Sequence, residues 1–472
     1  MMLEPPERIP EVAELGRVHL IGIGGGGMSG LARLLQARGI PVTGSDARPS
    51  VTLTALRALG VTCHVGHAAE HVGDADTVVV SSAIRADNPE LVQARSRGLT
   101  VLPRTVALVA LMAGYRSVGV AGTHGKTTTT SMLTVALQHC GLDPSFAVGG
   151  NLVNSGTNAH LGTGDIFVAE TDESDGSFVA FQPHVAVVTN IDYDHVDQHG
   201  DLEHYVAAFD RFAGRLEPDG VLVVCADDPG SVALGQRAAD RGIRVRSYGT
   251  NPDANVHIER LRPRGLGVGM RVVLDGRRLP DITLRVPGRH NAVNAAGALA
   301  AGTQLGVSAL EFAEGLQTFR GTLRRFELKG EAAGVRVFDD YAHHPTEVRE
   351  TLRTARQVAG EGRVLAVFQP HLYSRTQAFA ADFADALGLA DTVIVMDVFA
   401  AREDPVPGVT GALISDAVPL PATRVHFVPS WTQTPTVAAS LLAPGDVALT
   451  IGAGDVTLVG PELLELLRER HG

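Results

Sequence analysis

The chain has 472 residues, which at roughly 100–200 residues per domain predicts about three domains. Hydrophobic residues make up 44% and charged residues 19%, a balance that favours buried cores and excludes extensive disorder. The net charge is −12 and the sequence shows no basic cluster, which argues against a nucleic-acid partner. Phosphate binding is therefore expected to use backbone amides, magnesium and a few placed cations.

The first predicted domain, residues 1–114, opens with a strand, a glycine loop and a helix in the order of a β-loop-α unit. Its strands are predicted at Val18 to Ile23, Ile40 to Thr43, Val61 to Val65 and Thr77 to Ser81, with the first helix at Met28 to Arg38. Alternation of strands and helices predicts a parallel sheet, so this domain is expected to be Rossmann-like.

The glycine loop of this domain fits the pattern GxGxxG with Gly22, Gly24 and Gly27. Such glycines let the backbone approach a diphosphate at the start of the following helix. Asp46 follows at the distance where a dinucleotide site places its ribose-binding acid. Alone, this motif indicates an NAD-dependent oxidoreductase, but the same loop serves any diphosphate-linked ligand, including a UDP-sugar, or only a tight turn.

The second predicted domain, residues 115–320, repeats the strand, glycine loop and helix order. Its strands are predicted at Ser117 to Ala121, Ile166 to Glu170, Val185 to Thr189 and Val221 to Cys225, with a helix at Thr127 to His139 and an antiparallel excursion at Asn255 to Val286. A central P-loop domain is expected.

Its loop, Gly122-Thr123-His124-Gly125-Lys126-Thr127-Thr128, supplies what a nucleoside triphosphate needs. The glycines expose amides, the lysine bridges β- and γ-phosphates, and Thr127 reaches magnesium. Val120 stands where the general P-loop pattern has its leading glycine, which indicates a particular subgroup of ATPases.

Glu170 ends one predicted strand of this domain and His195 follows another, so both are expected at the edge of the sheet where ligands collect. A carboxylate, an imidazole and the Thr127 hydroxyl form a plausible site for Mg²⁺ that bridges ATP and an activated carboxylate. Their neighbours Asp172, Asp175 and His199 are interpreted as solvated surface residues.

The third predicted domain, residues 321–472, is a further α/β unit of the Rossmann-like type. Its strands are predicted at Val335 to Phe338, Val364 to Phe368, Thr392 to Met396 and Val447 to Ile451. The chain thus carries two phosphate loops in successive domains. A hydride-transfer enzyme has no use for the second loop, whereas an enzyme that holds a nucleotide-linked substrate and consumes ATP has use for both.

Location is predicted from three further features. The three cysteines are far apart, which indicates buried thiols and no disulfide framework. The first eleven residues lack the basic stretch and apolar core of a signal peptide, and the sequence shows no apolar run of membrane-spanning length. We expect a cytoplasmic protein without membrane insertion, and the sequence leaves monomer and homodimer open.

These motifs resemble those of the Mur ligases, which share a UDP-substrate domain, a central ATPase and a C-terminal amino-acid domain. The similarity spans nearly the whole chain. It rests on the segments Ile21 to Gly30, Gly122 to Thr129, Glu170 to Asp175, Arg289 to Asn294, Arg324 to Phe326, Asp339 to Pro345 and Gln369 to Thr376. Within the family, these segments are most similar to those of members that add L-alanine to UDP-N-acetylmuramate.

The resemblance completes the set of candidate site residues. UDP-substrate binding is assigned to Gly22, Gly24, Gly25, Gly27, Met28, Ser29 and Asp46. ATP binding is assigned to Gly122, Thr123, His124, Gly125, Lys126, Thr127, Thr128, Asn291, Asn294, Arg325 and Asp340. Magnesium is assigned to Thr127, Glu170 and His195, the amino acid to His344, His371 and Arg375, and catalysis to Lys126, Glu170, His195, His344 and Arg375.

The implied reaction joins L-alanine to the carboxylate of UDP-N-acetylmuramate through an acyl phosphate, with ATP as the phosphoryl donor. Rival hypotheses are a recycling ligase that adds a tripeptide to the same UDP-sugar, a non-catalytic UDP-sugar and ATP sensor, and a dehydrogenase. Two positions depart from the family pattern: Thr171 replaces the usual alanine, and Leu372 stands where many members have a basic residue. A role that needs a charge at position 372 is therefore in question.

Overall fold

The computed structural model describes residues 8–81, 83–172, 177–192, 201–401 and 403–469. The chain divides into two compact units, one that holds the first two of its three sheets and one built around the third. Among the helices within these ranges, none is both long enough and apolar enough to cross a bilayer. The three sheets carry helices and confirm the predicted class of three α/β domains.

The first sheet has the strand order β3-β2-β1-β4-β5, and all its pairings are parallel. Its strands are β1 Val18–Ile21, β2 Val42–Asp46, β3 Thr62–Val65, β4 Thr77–Val80 and β5 Thr100–Pro103. Its helices are α1 Gly26–Ala37, α2 Val51–Ala58, α3 Pro89–Ser96 and α4 Arg104–Met112, with 3-10 turns at Val12–Leu15 and Ala69–Val72. This order is that of a doubly wound nucleotide-binding sheet, in which ligands collect at the carboxyl ends of the strands.

Strand β2 begins and ends later than the predicted segment Ile40 to Thr43, so Gly44-Ser45-Asp46 belongs to the strand. β2 is hydrogen-bonded to β1 on one side and β3 on the other. A Cβ on Gly44 would lie 2.6 Å from Leu20 O, so glycine is needed here for close packing against β1. Pairing with the neighbouring strands thus extends β2 through Asp46, beyond the predicted segment.

The second sheet has the order β15-β14-β13-β12-β11-β10-β6-β9-β7-β8, with β16 beside β14. Its strands are β6 Arg116–Ala121, β7 Ser145–Ala147, β8 Ala159–His160, β9 Ile166–Glu170, β10 Val185–Val188, β11 Val221–Cys225, β12 Arg244–Gly249, β13 Val256–Arg264, β14 Gly267–Leu274, β15 Arg277–Arg278 and β16 Ile282–Leu284. Its helices are α5 Lys126–His139, α6 Leu202–Ala213, α7 Pro229–Asp240, α8 Arg289–Gln304 and α9 Ala309–Leu316, with a 3-10 turn at Ser177–Ala180. β14 and β15 pair antiparallel, within the segment where antiparallel structure is predicted.

Helix α5 is buried along nearly its whole length although its sequence is rich in hydroxyl residues. The side chains of Thr130, Ser131 and Thr134 donate to the carbonyl four residues back at 2.7 to 2.8 Å. Hydroxyls bonded in this way are satisfied without a partner outside the helix. The helix can therefore lie in the interior behind the P-loop and fix the position of its first turn.

The third sheet has the order β17-β18-β22-β19-β20-β21, with β17 antiparallel to β18 and the remaining pairs parallel. Its strands are β17 Glu327–Ala332, β18 Val335–Asp340, β19 Val364–Phe368, β20 Thr392–Val395, β21 Val425–Phe427 and β22 Val447–Ile451. Its helices are α10 Pro345–Ala359, α11 Tyr373–Leu387, α12 Ala412–Ser415, α13 Thr434–Leu441 and α14 Val459–Glu469, with 3-10 turns at Ala422–Arg424 and Asp455–Leu458.

Candidate active site

The first glycine loop, residues 22–27, leads from β1 into α1 and is held in place by the end of β2. The carbonyl of Ser45 accepts from Gly22 N at 2.8 Å. The Asp46 carboxylate accepts from Gly24 N at 3.0 Å, which fixes the middle of the loop. Among the described residues, no side chain caps the start of α1, so its first amides can face an anionic ligand.

An open cleft of about 820 Å³, counting the space open to solvent, lies between this loop and the end of β9. Among the residues on its walls are Gly22, Gly25, Gly27, Met28, Ser81, Arg104, Gly149 and Glu170. Four of the residues assigned to the UDP-substrate therefore face one cavity. The other three have structural partners: Gly24 and Asp46 bond each other, and Ser29 Oγ donates to Gly26 O at 3.0 Å.

The second glycine loop, residues 122–128, is held from the side by the end of β10. Thr189 Oγ1 donates to the carbonyl of His124 at 2.6 Å, and Asn190 Oδ1 accepts from His124 N at 2.8 Å. Gly122 has φ of +122°, and a Cβ there would lie 2.1 Å from Thr189 Oγ1. Only glycine fits this approach, so the loop's shape depends on its neighbour as well as on its own sequence.

The functional side chains of this loop meet at the start of α5. Lys126 Nζ donates to the carbonyls of Gly122 at 2.6 Å and Thr123 at 3.1 Å, so the ammonium lies over the loop. Thr127 Oγ1 donates to Glu170 Oε1 at 3.1 Å. The structure therefore brings the predicted lysine, hydroxyl and carboxylate to one place.

Glu170 lies at the carboxyl end of β9 and connects the P-loop to the cleft. Its second carboxylate oxygen, Oε2, accepts from Gly149 N at 2.7 Å. The same residue lines the cleft that the first glycine loop borders. His195, predicted as its partner in a magnesium site, lies outside the described residues, as do Asp175 and His199.

The loop histidine His124 and two asparagines of α8 were also assigned to ATP. His124 Nε2 lies 3.1 Å from Asp192 Oδ2. Asn294 is buried against the P-loop, where its Oδ1 would lie 2.7 Å from a Cβ on Gly125. Asn291 is buried too, and its amide donates to Pro287 O at 2.6 Å at the start of its own helix.

The third sheet places Asp340 at the end of β18 with its carboxylate bonded to the backbone. It accepts from Phe326 N at 2.7 Å and from Ala342 N at 2.8 Å. Burial raises the pKa of Asp340 to about 6, although the charge of Arg325 lowers it. The guanidinium of Arg325 lies 5.3 Å from the ring centre of Tyr341. These two ATP-binding candidates therefore lie close together in the folded chain.

Two of the three residues assigned to the amino acid lie next to each other. Arg375 Nη1 lies 3.5 Å from His371 Nδ1. His344 is the N-cap of α10, where its Nδ1 accepts from Thr346 N at 3.3 Å. Leu372 has φ of +69° and a side chain that is only 3% exposed. The position that is basic in many family members is thus an apolar, buried one here.

Sequence reasoning missed two residues that the fold brings from distant parts of the chain to the first glycine loop. Arg104, the first residue of α4, lies beside Gly27, where an added Cβ would be 2.8 Å from its Nη1. Asn158 donates to Gly26 O at 2.6 Å and to Ser29 Oγ at 3.3 Å, and so ties the second sheet to the first glycine loop. A lone arginine and a lone asparagine carry no motif, so the sequence offers no local signal for either.

The fold and this site define the class of protein. Residues 17–116 match the model of the Mur ligase family, catalytic domain; residues 120–302 match the Mur ligase middle domain; and residues 324–454 match the Mur ligase, glutamate ligase domain. A relative that is 57% identical over 99% of this chain supports the same assignment. The chain belongs to the Mur ligase family.

Individual relatives are informative beyond the family assignment. The 57% identical protein, the UDP-N-acetylmuramate–L-alanine ligase of Saccharopolyspora erythraea, is matched over 96% of its own length. The crystal structure of the UDP-N-acetylmuramate-alanine ligase of Thermotoga maritima superposes with a TM-score of 0.82 at 30% identity, over 96% of this chain and 99% of that one. A murein peptide ligase of Psychrobacter arcticus gives a TM-score of 0.71 at 25% identity over the same shares.

Proposed function

We propose that this chain is an ATP-dependent ligase that joins L-alanine to the carboxylate of UDP-N-acetylmuramate, in the cytoplasm, as a step of peptidoglycan precursor synthesis. The observation that carries the proposal is the cleft bordered both by the first glycine loop and by Glu170 of the P-loop site. A diphosphate held at α1 would direct the rest of its substrate towards the place where phosphoryl transfer occurs.

The proposed division of labour follows the three sheets. Residues 1–114 bind the UDP-substrate, residues 115–320 bind ATP, and residues 321–472 bind the amino acid and complete the ATP site. The glycine loop and Arg104 suit a diphosphate because they offer backbone amides and one cation. The P-loop suits a triphosphate because Lys126 and Thr127 add a charge and a hydroxyl to the amides.

In the proposed reaction, a carboxylate oxygen of the muramoyl group attacks the γ-phosphorus of ATP, and ADP leaves. The acyl phosphate that forms is then attacked by the neutral amine of L-alanine, and inorganic phosphate leaves as the amide forms. Lys126 offsets the charge that gathers on the transferring phosphoryl group.

Magnesium fits the residues that face the phosphoryl-transfer site. The Thr127 hydroxyl and the Glu170 carboxylate are 3.1 Å apart and are the hard oxygen donors that this ion prefers. We assign both as ligands, with His195 as the third candidate. The ion would supply charge neutralisation between the phosphates and the attacking carboxylate.

Helix α8 of the second domain and the third domain supply the remaining proposed contacts. Asn291, Asn294, Arg325 and Asp340 are assigned to ATP, whereas His344, His371 and Arg375 are assigned to the amino acid. Arg375 suits the carboxylate of alanine because a guanidinium can bind a carboxylate in a bidentate way. His371, 3.5 Å from Arg375, would border the same group.

Phosphate release from Mg-ATP with UDP-N-acetylmuramate tests the proposal, with L-alanine, glycine, L-serine and the tripeptide as separate acceptors. We expect release that depends on L-alanine, and mass spectrometry should detect the alanyl product. Turnover with the tripeptide alone would assign the chain to the recycling ligases. Binding of both nucleotides without turnover on any acceptor would favour a sensor.

A further inference from the structure

A fully buried glutamate in the first domain is surrounded by histidines. Glu90, the second residue of α3, is 0% exposed. Its Oε2 lies 3.3 Å from His19 Nε2, and its Oε1 lies 3.1 Å from His71 Nδ1 and 3.5 Å from His67 Nδ1. A fourth histidine, His64, stacks on His71 with ring centres 4.2 Å apart.

The Glu90 carboxylate is held by hydrogen-bond donors. Ser45 Oγ donates to it at 2.5 Å and Ala68 N at 3.2 Å, in addition to the imidazoles. In the described ranges, neither lysine nor arginine forms an ion pair with Glu90. Burial alone would raise the pKa of Glu90, but the hydrogen bonds and charge of its neighbours lower it to about 2. It therefore stays ionised throughout the physiological range.

Two of its donors belong to segments that support the first glycine loop. The carbonyl of Ser45 accepts from Gly22 N at 2.8 Å and from Ile23 N at 2.9 Å, so the residue that Glu90 holds by its hydroxyl holds the loop by its backbone. On the other side of Asp46, the turn before Ala68 is joined to β2 by Gly66 N, which donates to Asp46 O at 2.8 Å.

We infer that Glu90 is a positioning residue for the nucleotide half of the UDP-substrate. Glu90 holds Ser45 and the turn at residues 66–68 in place. These two segments in turn hold Asp46 and the amides of the glycine loop. The assignment rests on the proposed function, because it takes that loop as the diphosphate site. Glu90 itself is fully buried and acts on the ligand through Ser45.

Loss of the charge alone tests this role. In E90Q, one oxygen becomes an NH₂ group that faces donors, so the arrangement of four hydrogen-bond donors cannot be kept. We expect the KM for UDP-N-acetylmuramate and its Kd by calorimetry to rise about tenfold, as for loss of one charge-assisted hydrogen bond. The kcat and the KM values for ATP and L-alanine should stay within about twofold.

Two further variants keep the test sharp. S45A removes one donor, keeps the Ser45 carbonyl, and should raise the same Kd about threefold; it decides the question if E90Q does not fold. D446N is the matched control, because Asp446 is another buried carboxylate, paired with Arg363 in the third sheet. It should lower the melting temperature and leave the Kd for the UDP-substrate unchanged.

Either of two results would overturn the inference: a folded E90Q with wild-type affinity, or an equal rise in the KM values for ATP and the UDP-substrate. Titration with UDP alone distinguishes a failure of the inference about Glu90 from a failure of the proposed function. If wild-type protein binds UDP and E90Q binds it more weakly, Glu90 has the inferred role even when L-alanine is not the acceptor. If wild-type protein turns over L-alanine and E90Q binds UDP equally well, only the inference fails.

Discussion

The two glycine loops of this protein share one local design and differ in what they add to it. Each joins a buried parallel strand to a helix whose start has no side-chain cap among the described residues. The loop at residues 22–27 offers backbone amides, and beside it lies one cation from a distant part of the sequence, Arg104. The loop at residues 122–128 adds Lys126 and Thr127 and faces Glu170. The first is built to bind, whereas the second has the charges that phosphoryl transfer requires.

The largest expected effect comes from removing the charge that distinguishes the second loop. In K126A, phosphate release should fall about a thousandfold, because no other cation of this loop offsets the transferring charge. The Kd for UDP-N-acetylmuramate, measured by calorimetry without ATP, should stay at its wild-type value. Activity within tenfold of wild type would show that the comparison between the loops is wrong.

The next largest effect is expected from a substitution that removes a hydrogen-bond donor to the first glycine loop. N158A removes the side chain that donates to Gly26 O and Ser29 Oγ, and with it the hydrogen bonds that join this segment to the first glycine loop. The KM for UDP-N-acetylmuramate should rise about five- to tenfold, with the KM for ATP unchanged. N154A is the matched control from the same segment, because Asn154 bonds Thr318 O and Arg320 N instead. Equal effects of the two variants on this KM would contradict the assignment.

The pH dependence of ATP use should differ from the pH dependence of UDP binding. Burial raises the pKa of Asp340 to about 6, so this carboxyl is neutral below that pH and ionised above it. If the ionised form contacts ATP, kcat/KM for ATP should fall as the pH drops through about 6, and D340N should lose that limb. The Kd for UDP alone should show no such D340N-dependent change. An identical profile in wild type and D340N would exclude Asp340 as the titrating group.

The smallest effect concerns the residue that directly follows β9. Thr171, one of the two departures from the family pattern, is fully buried, and its hydroxyl has no hydrogen-bond partner among the described residues. T171V keeps the side chain's shape and removes the unsatisfied group, so it should stabilise the protein by about 1 kcal/mol. The melting temperature should rise by about 2 °C with unchanged kinetics. A lower melting temperature would mean that the hydroxyl has a partner.

Several central strands were predicted at their observed positions, whereas several edge strands were missed. β9, β11, β19 and β22 lie at the predicted positions because strands buried on both faces are continuous apolar runs. Short or polar edge strands such as β8, β17 and β21 were missed, since their sequences carry no such run. The family and the three α/β domains are confirmed, whereas the domain limits and the individual site roles remain predictions.

The sequence by itself determined the two glycine loops, the P-loop lysine and threonine, and Glu170 at a strand end, because each lies within a short local motif. Only the tertiary structure decided that Glu170 meets Thr127 and borders the cleft, and that Arg104 and Asn158 reach the first loop. It also decided that Glu90 is surrounded by histidines that lie 19 to 71 residues away. Such contacts depend on which strands become neighbours in a sheet, and no local pattern of residues records that choice.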